Sequence, residues 1–491
     1  MREKIYIGAL LVAIGTFHAA TVRQGHLWAD DFAMYVHHAK NIVEGHPYTD
    51  TQYIYNASMV VGPKYYPPIF PVLLTPIYKV SGLNLIPMKL EQVVFLLLSL
   101  IAIYAYWKRD LGSGYTLALV AILGFAPAFW IAKDNVLSDV LFLFFFYLTA
   151  LLVRSSRRDT RAWWRAVLIG FVIYLAIGTR VVGISLAAGL ALYDVVRLRT
   201  ISRSTVVSIA VCGASVSLQR YVTGIGLSGY RHEHPTFHSI ASNIAIYTRA
   251  TGSFWVGSTR NLFAYAVLAL LVALVVKGIF AQEKRRFTFV EAALIPYFTI
   301  IVIPVDPGGI RMMFPAVPWF GYLVLSGLKG LVEKSAPRYS ASAVWTLIIL
   351  IAIPYGQFYR KQDFGPIRES AGRPEFNQLC QAVRENTGPE DSILYIRARA
   401  LSLYTGRPAS APNYRGSPAE LWQWAANIHA KYFLITNAFN DDHGFLANFV
   451  ESNAGRFDLV YENANFRLYR IRSSPTGFDG PTKLAIAAPP A

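Results

Sequence analysis

The sequence predicts a polytopic α-helical membrane protein that carries a small C-terminal α/β domain. Three observations predict it. Of 491 residues 54% are apolar and only 15% charged, against about 25% charged in soluble domains. Eleven apolar runs approach the length of a membrane span, for which about 20 helical residues suffice. After residue 358 the pattern changes to short apolar runs mixed with charge. Length alone would allow roughly three globular domains; the apolar excess argues for one membrane body, residues 1–358, with something smaller attached. Disorder, a collagen-like chain and a disulfide scaffold are excluded, because the apolar content is too high, glycine has no triplet period and there are only two cysteines. No repeat of fixed period appears.

The runs lie near 5–22, 88–107, 113–132, 138–153, 163–178, 181–196, 204–219, 261–280, 287–304, 312–330 and 341–358. The pair within 163–196 is short and divided only by Thr179-Arg180. The first run follows Met1-Arg2-Glu3-Lys4 and reads as an uncleaved anchor, since no clear A-x-A site follows it.

The net charge is +17, from 46 Lys+Arg against 29 Asp+Glu. In a soluble protein that balance would raise the question of nucleic acid. Here the positions of the cations answer it. With a cytoplasmic N-terminus, the inner loops hold Lys108, Arg109, Arg154, Arg157, Arg158, Arg161, Arg165, Arg197, Arg199, Arg203, Lys277, Lys284, Arg285, Arg286, Lys329, Lys334 and Arg338. The short outer links hold only Lys133, Arg180 and Arg311. This positive-inside bias predicts a multi-pass protein of the cell membrane, N-terminus inside and C-terminal domain outside. No nucleic-acid partner is needed.

Three outer segments are long: 23–87, 220–260 and the tail. In the tail, residues 359–473 read as the α/β domain. "ILYI" and "AKYFLIT" read as strands, "SPAELWQWAANIHA" as a helix, and "RFDLVYENANFRLYRIR" as two strands joined at Glu462-Asn463-Ala464-Asn465. Residues 474–491 form a loose tail rich in Pro, Gly and Ala. Cys212 falls in a span and Cys380 in the outer domain, so no disulfide joins them.

The first outer loop holds the densest chemical signal. Asp30-Asp31 opens an amphipathic stretch that ends at Gly45, a helix C′ position. A single Asp there would cap the helix; a doublet below Trp28 at the bilayer surface points to chemistry for at least one of the two. Tyr65-Tyr66-Pro67-Pro68 cannot continue a helix and turns the chain back towards the membrane. Lys64 beside it is either a snorkelling cation or an anion ligand. Arg180 and Arg311 each end a span on the outer side, and either anchors its helix at headgroup level or joins Lys64 around a phosphate. Asp139 either serves a helix N-terminus or is a further carboxylate of the site. His37-His38, His46, and His232, His234 and His238 raise the question of zinc. His232 and His234 do not have the i, i+4 spacing of a helical ligand pair, and the loop at 228–240 could instead close over a donor. Asn56-Ala57-Ser58 matches a glycosylation sequon, relevant only in a eukaryote.

These features together resemble the GT-C superfamily of integral-membrane glycosyltransferases, most nearly the bacterial protein-mannosyltransferase and aminoarabinose-transferase type. The resemblance is carried by the Asp doublet, Tyr35, "AKNIVEGHPYT" and "YYPPIFPVLLTPIYK". It continues through "NVLSDVLFLFFFYLTALL", "AIGTRVVGISLAAGLALY" and "GGIRMMFPAVPWF" to the tail segments "ENTGPEDSILYI" and "ENANFRLYRI". It spans nearly the whole chain, and the order of the motifs carries it. Met312 stands where the family has Tyr, Asp139 where Glu is common, and two tyrosines separate Lys64 from the Pro pair.

The resemblance implies a polyprenyl-phosphate sugar as donor and a lipid, glycan or protein acceptor outside the cytoplasm. Asp30 is the base it implies; Asp31 would orient Asp30, bind the acceptor or hold a metal. Repulsion within a semi-buried pair would raise one carboxyl pKa. No cofactor is required, and a divalent cation at Asp30 bridging to the phosphate stays open. Inversion at the anomeric carbon is implied. The alternatives are a flippase or transporter of lipid-linked sugars, and an assembly or sensor protein whose tail binds a partner. Transporters tend to place ionisable residues at the midplane in repeated halves; here they gather at the outer rim.

Overall fold

The structure is a computed structural model that describes residues 2–28, 31–56, 61–156, 163–226, 235–257, 261–280, 287–304, 308–368, 370–413, 416–437 and 446–472. The chain divides into two compact units, Met1–Thr51 with Val60–Arg373, and Gln52–Met59 with Pro374–Ala491. The change of unit falls at Arg373, beyond residue 358. Eight residues of the first outer loop belong to the second unit, which no feature of their sequence announces.

The first unit is built of helices. In chain order they are α1 (Arg2–Ala20), α2 (Asp31–Glu44), α3 (Ile69–Ser81), α4 (Leu85–Leu111), α5 (Ser113–Gly124), α6 (Pro127–Lys133), α7 (Asp139–Ser156) and α8 (Trp163–Thr179). They continue with α9 (Ile184–Leu198), α10 (Arg203–Thr223), α11 (Phe237–Val256), α12 (Leu262–Phe280), α13 (Phe289–Val302), α14 (Val317–Ser335) and α15 (Ser340–Arg360). A two-stranded ribbon pairs β1 (His26–Leu27) antiparallel with β2 (Ser370–Ala371).

Every one of the eleven apolar runs is helical, but length and hydropathy do not carry a count of eleven spans. Among the described residues six helical stretches are long and apolar enough to cross a membrane, and a seventh if α5 and α6, bent by 53° at their break, form one span. Trp163–Thr179 and Phe289–Val302 are apolar but short, at 17 and 14 residues. The bend between α5 and α6 has a cause in Pro127, which opens α6 and cannot continue α5.

Glycines bring the helices together. A Cβ on Gly278 of α12 would lie 2.1 Å from the Leu323 carbonyl of α14, and one on Gly327 would lie 2.0 Å from the Leu274 carbonyl. Gly170 meets the Ser208 carbonyl of α10 in the same way, and Gly189 meets Ala293 of α13. Close backbone approach through small residues is the usual packing device where no water drives association.

Helix α2 ends where the sequence placed its end, with Gly45 at φ 75°. It is far from a half-wetted amphipathic helix, since Phe32 through Ala39 and Asn41 are all buried. Its polar residues organise the turn that follows. Asn41 donates to the carbonyls of Pro47, Tyr48 and Asp50. His38 Nδ1 lies 2.6 Å from the Tyr48 carbonyl, and its ring stacks on Tyr48 at 4.1 Å.

The second unit is an α/β layer. Its helices are α16 (Pro374–Asn386), α17 (Ala398–Thr405), α18 (Pro418–Asn427) and α19 (Ala447–Ser452). Its strands are β3 (Ser392–Leu394), β4 (Ala409–Ser410), β5 (Ala430–Thr436), β6 (Phe457–Glu462) and β7 (Phe466–Ile471), in the order β4-β3-β5-β7-β6. The first three are parallel, and β7 runs antiparallel to β5 and β6. The hairpin between β6 and β7 turns at the Asn463–Asn465 segment, with Asn463 Oδ1 accepting from the amides of Asn465 and Phe466. Helix α18 begins with a capping box, Ser417 and Glu420 reciprocating.

The loop segment seated in this unit extends the sheet beyond β4. Ile54 N–H donates to the Ala409 carbonyl at 2.9 Å, Ala409 N–H to the Gln52 carbonyl at 3.0 Å, and the Asn56 side chain to the Ala411 carbonyl at 3.0 Å. Cys380 is buried and unpaired in this unit, and Cys212 is likewise buried and unpaired in the first.

Candidate active site

Five segments of the first unit bring polar side chains to one place, four of them charged. They are the start of α2 with Asp31, the Pro63–Tyr66 turn, the start of α7 with Asp139, the break at Arg180 between α8 and α9, and the Gly309–Met313 turn before α14. Each is a point where a helix starts or stops, so local backbone rules place it. Asp31 and Asp139 sit in first turns, where a carboxylate complements the exposed N–H groups. Arg180 takes an extended conformation, φ −150°, that ends α8.

The side chains alternate in sign. Arg180 Nη1 donates to Asp139 Oδ1 at 2.6 Å. Asp139 Oδ2 lies 4.0 Å from Arg311 Nη1, and Arg311 donates to Asp31 Oδ2 at 3.3 Å from both Nη1 and Nη2. Tyr66 completes the row by donating its hydroxyl to Asp31 Oδ1 at 2.7 Å. The two pairs differ in kind. The Arg180–Asp139 pair is short and buried, its side chains 14% and 6% exposed, while Arg311 and Asp31 are 34% and 28% exposed. Charge-assisted N–H···O bonds are at their strongest near 2.7–2.9 Å, so the longer contacts of Arg311 leave it the readier cation to exchange a carboxylate for another anion. Asp139 and then Asp31 raise the Arg311 pKa still further, keeping it charged.

Tyrosines and Met312 hold the frame. The Tyr35 hydroxyl bonds Ser138 Oγ at 2.8 Å, and its ring meets Tyr66 edge-on at 5.0 Å. Tyr48 donates to the Tyr66 carbonyl at 2.9 Å. Tyr297 donates to the Met312 carbonyl at 2.6 Å. The Met312 sulfur accepts from Arg180 at 3.3 Å, so Met312 touches the site. Burial pushes the Tyr35 hydroxyl well above its ordinary pKa, so it stays protonated.

Of the residues singled out in the sequence, Asp31, Tyr66, Asp139, Arg180 and Arg311 come together. Tyr65 and Lys64 share the turn beside Tyr66, but Lys64 is exposed and, among the described residues, makes no hydrogen bond or ion pair with the group. Asp30, with its expected metal role, lies outside the described residues, as do His232 and His234. His238 is exposed at the start of α11. Among the described residues no group of three or more His, Cys, Asp or Glu side chains is placed to hold a metal ion. His37 and His38 are buried, and burial lowers their pKa values to about 3 and about 4. His38 is occupied with the Tyr48 turn.

Sequence reasoning missed the anchor of this site. Asp134 is fully buried and accepts from Arg23 Nε at 2.7 Å and from Lys133 at 3.0 Å, with Lys89 at 3.9 Å. Arg23 and Lys133 also lie over the Trp130 ring. The cluster fastens the segment that leads to α2 onto the segment that leads to α7. Lys133-Asp134 at the end of an apolar run was the available signal, and Lys133 reads there as an isolated outer cation.

An apolar cavity of about 710 Å³ opens between α11, α12, α13 and α14. Tyr247, Trp255, Leu271, Val302, Met313 and Phe320 are among its walls. Met313, from the same turn as Arg311, is one of its walls.

No family model matches the sequence, and no curated protein matches it. Solved structures do. ArnT from Cupriavidus metallidurans, bound to undecaprenyl phosphate, aligns at TM-score 0.58 and 14% identity over 95% of this chain and 97% of its own. The oligosaccharyltransferase AglB from Archaeoglobus fulgidus, in complex with an inhibitory peptide and a dolichol-phosphate, aligns at 0.57 and 11% over 88% of this chain and 69% of its own. The arabinofuranosyltransferase AftD from Mycobacteria aligns at 0.60 and 12% over 96% of this chain, which spans 40% of that larger protein. At these identities the likeness is one of fold: the chain has the architecture of the GT-C membrane glycosyltransferases.

Proposed function

We propose that the protein transfers a sugar from a polyprenyl-phosphate carrier to an acceptor outside the cytoplasm. The observation that carries this reading is Arg311, an arginine shared between two carboxylates and held loosely by the more exposed one. In the reaction the acceptor hydroxyl oxygen forms a bond to the anomeric carbon, and the bond from that carbon to the phosphate oxygen breaks. The phosphate changes from a diester with one negative charge to a monoester approaching two. A cation already in place is worth most where charge grows. Arg311 is suited to that task, with Arg180 fixed behind it on Asp139.

The departing phosphate needs little acid assistance, so one base suffices where glycosidases use a carboxylate pair. Asp30 is the base in this reading, taking the acceptor proton. Asp31 is engaged by Tyr66 and Arg311, which suits an orienting carboxylate better than a proton acceptor. Attack from the face opposite the phosphate inverts the anomeric centre. The apolar cavity lined by Met313 supports a lipid-linked donor, since its apolar walls can pack against a prenyl chain. A divalent cation, were one bound, would be held by Asp30 and would supply positive charge for the departing phosphate; loss of transfer on chelation tests this.

The test is direct. The protein in lipid nanodiscs is given polyprenyl-phosphate sugars with membrane and envelope extracts as acceptors, and released polyprenyl phosphate and new glycoconjugates are measured. Transfer is expected in the wild type and lost in Asp30→Asn. Transfer undiminished in that variant removes Asp30 from the role of base. Movement of intact lipid-linked sugar across vesicles with no transfer overturns the reading itself.

A further inference from the structure

One buried histidine is wedged between the segments that carry the two carboxylates. His26 in β1 is fully buried, and its ring stacks on Phe32 with centroids 3.9 Å apart. Its Nδ1 lies 2.7 Å from the Leu27 carbonyl, and its Nε2 lies 2.9 Å from the Val136 backbone nitrogen. The Val136 amide can only donate and the Leu27 carbonyl can only accept. The ring is therefore neutral, with its proton on Nδ1. Phe32 directly follows Asp31, and Val136 lies just before Ser138 and Asp139. One face of the imidazole thus bears on the start of α2, and its edge bears on the turn into α7.

An apolar residue of similar size would fill the space but leave the Val136 N–H buried without an acceptor, and such a group costs its full desolvation. Lys89 and Asp134 are the charged groups that act on the ring, and in the described contacts Nε2 accepts from the Val136 amide.

We propose that His26 is a positioning residue for the transfer reaction, setting the separation of Asp31 and Asp139 and thereby the seat of Arg311. It rests on the transferase reading. A displacement of about 1 Å at such a group can cost about 100-fold in rate.

The experiment uses the full chain in nanodiscs with a polyprenyl-phosphate sugar as substrate. His26→Phe keeps a ring on Phe32 and removes both polar contacts; His26→Gln retains an acceptor and a donor. His26→Phe is expected to lower kcat by about 10-fold or more, with KM for the donor little changed, and to speed deuterium exchange of the peptide spanning residues 134–139. His26→Gln is expected to recover both. His26→Asn, too short to reach Val136, replaces the Phe variant if that one does not fold. Wild-type kcat in His26→Phe, equal loss in the Phe and Gln variants, or unchanged exchange at 134–139 overturns the proposal. If the wild type transfers no sugar, the transferase reading fails, while the exchange measurement still decides whether His26 holds the segment.

Discussion

Arg311 lies between Asp31 and Asp139, at 3.3 Å from one carboxylate and 4.0 Å from the other. A planar guanidinium can address both at once, and an ammonium cannot. Arg311→Lys is expected to lower kcat for transfer by about 100-fold, and Arg311→Gln by up to about 1000-fold, the range seen when one group that stabilises developing charge is removed. Lys64→Ala, a change at an exposed cation outside the row, is expected to alter KM by less than about threefold. Single-turnover kinetics separate the three. A Lys64 variant as damaged as Arg311→Lys would reverse the ranking of the two cations.

Tyr66→Phe removes the 2.7 Å bond to Asp31 while keeping the ring against Tyr35. The cost in stability is expected to be about 1 kcal/mol. Asp31, with one donor fewer, holds Arg311 more firmly, so KM for the donor should rise about fivefold. Thermal melting together with initial rates checks both; a higher affinity for donor would show that Asp31 and the phosphate do not compete.

Asp139→Asn leaves Arg180 buried beside a neutral partner. Breaking a buried pair from one side costs about 3–5 kcal/mol, so this variant should express poorly and melt early. The double variant Asp139→Asn with Arg180→Met should regain much of that stability and still transfer no sugar. Equal melting of the single and double variants would mean that the pair is not a source of uncompensated charge.

His38 responds to acid. Its pKa in the folded protein is about 4 against an ordinary 6.5, because burial disfavours the charged ring. Above pH 6.5 both states are neutral at this site and the full stability is present. As pH falls from 6.5 towards 4 the unfolded chain takes up a proton that the folded one refuses, and stability drops by about 1.4 kcal/mol per pH unit. His38→Gln should flatten that part of the melting-temperature profile. His37, lowered to about 3, adds to the same slope, so an unchanged profile in a variant lacking both rings would exclude this origin.

Much of the architecture can be read from local pattern, because local pattern is what places it. Arg180 interrupting two apolar runs, Gly45 ending α2, and the Asn-rich hairpin at 463–465 are all rules of a few neighbouring residues. The charged residues of the site are legible in kind for the same reason, since a carboxylate or arginine at the edge of an apolar run has few dull explanations. Their partners are not. Asp31 and Arg311 stand 280 positions apart, and nothing in either neighbourhood names the other. Lys64 shows the same limit: it adjoins Tyr66 in sequence, yet among the described residues it makes no hydrogen bond or ion pair with the row. Length and hydropathy alone do not raise every one of the eleven runs to a span, because apolar composition marks burial in protein as readily as burial in lipid, and Trp163–Thr179 and Phe289–Val302 are only 17 and 14 residues long.

The strand-like segment at Gln52–Asn56 has a consequence for the order in which the molecule can be finished. Its hydrogen-bonding partners at Ala409 and Ala411 are about 355 residues further along. During synthesis the first outer loop emerges early, and its backbone groups must wait, solvated, until almost the whole chain has been made. The Pro63–Tyr66 turn follows that waiting segment by only a few residues. A chain that stops before residue 409 lacks every one of these partners, so the C-terminal unit must be made before this part of the first outer loop can pair.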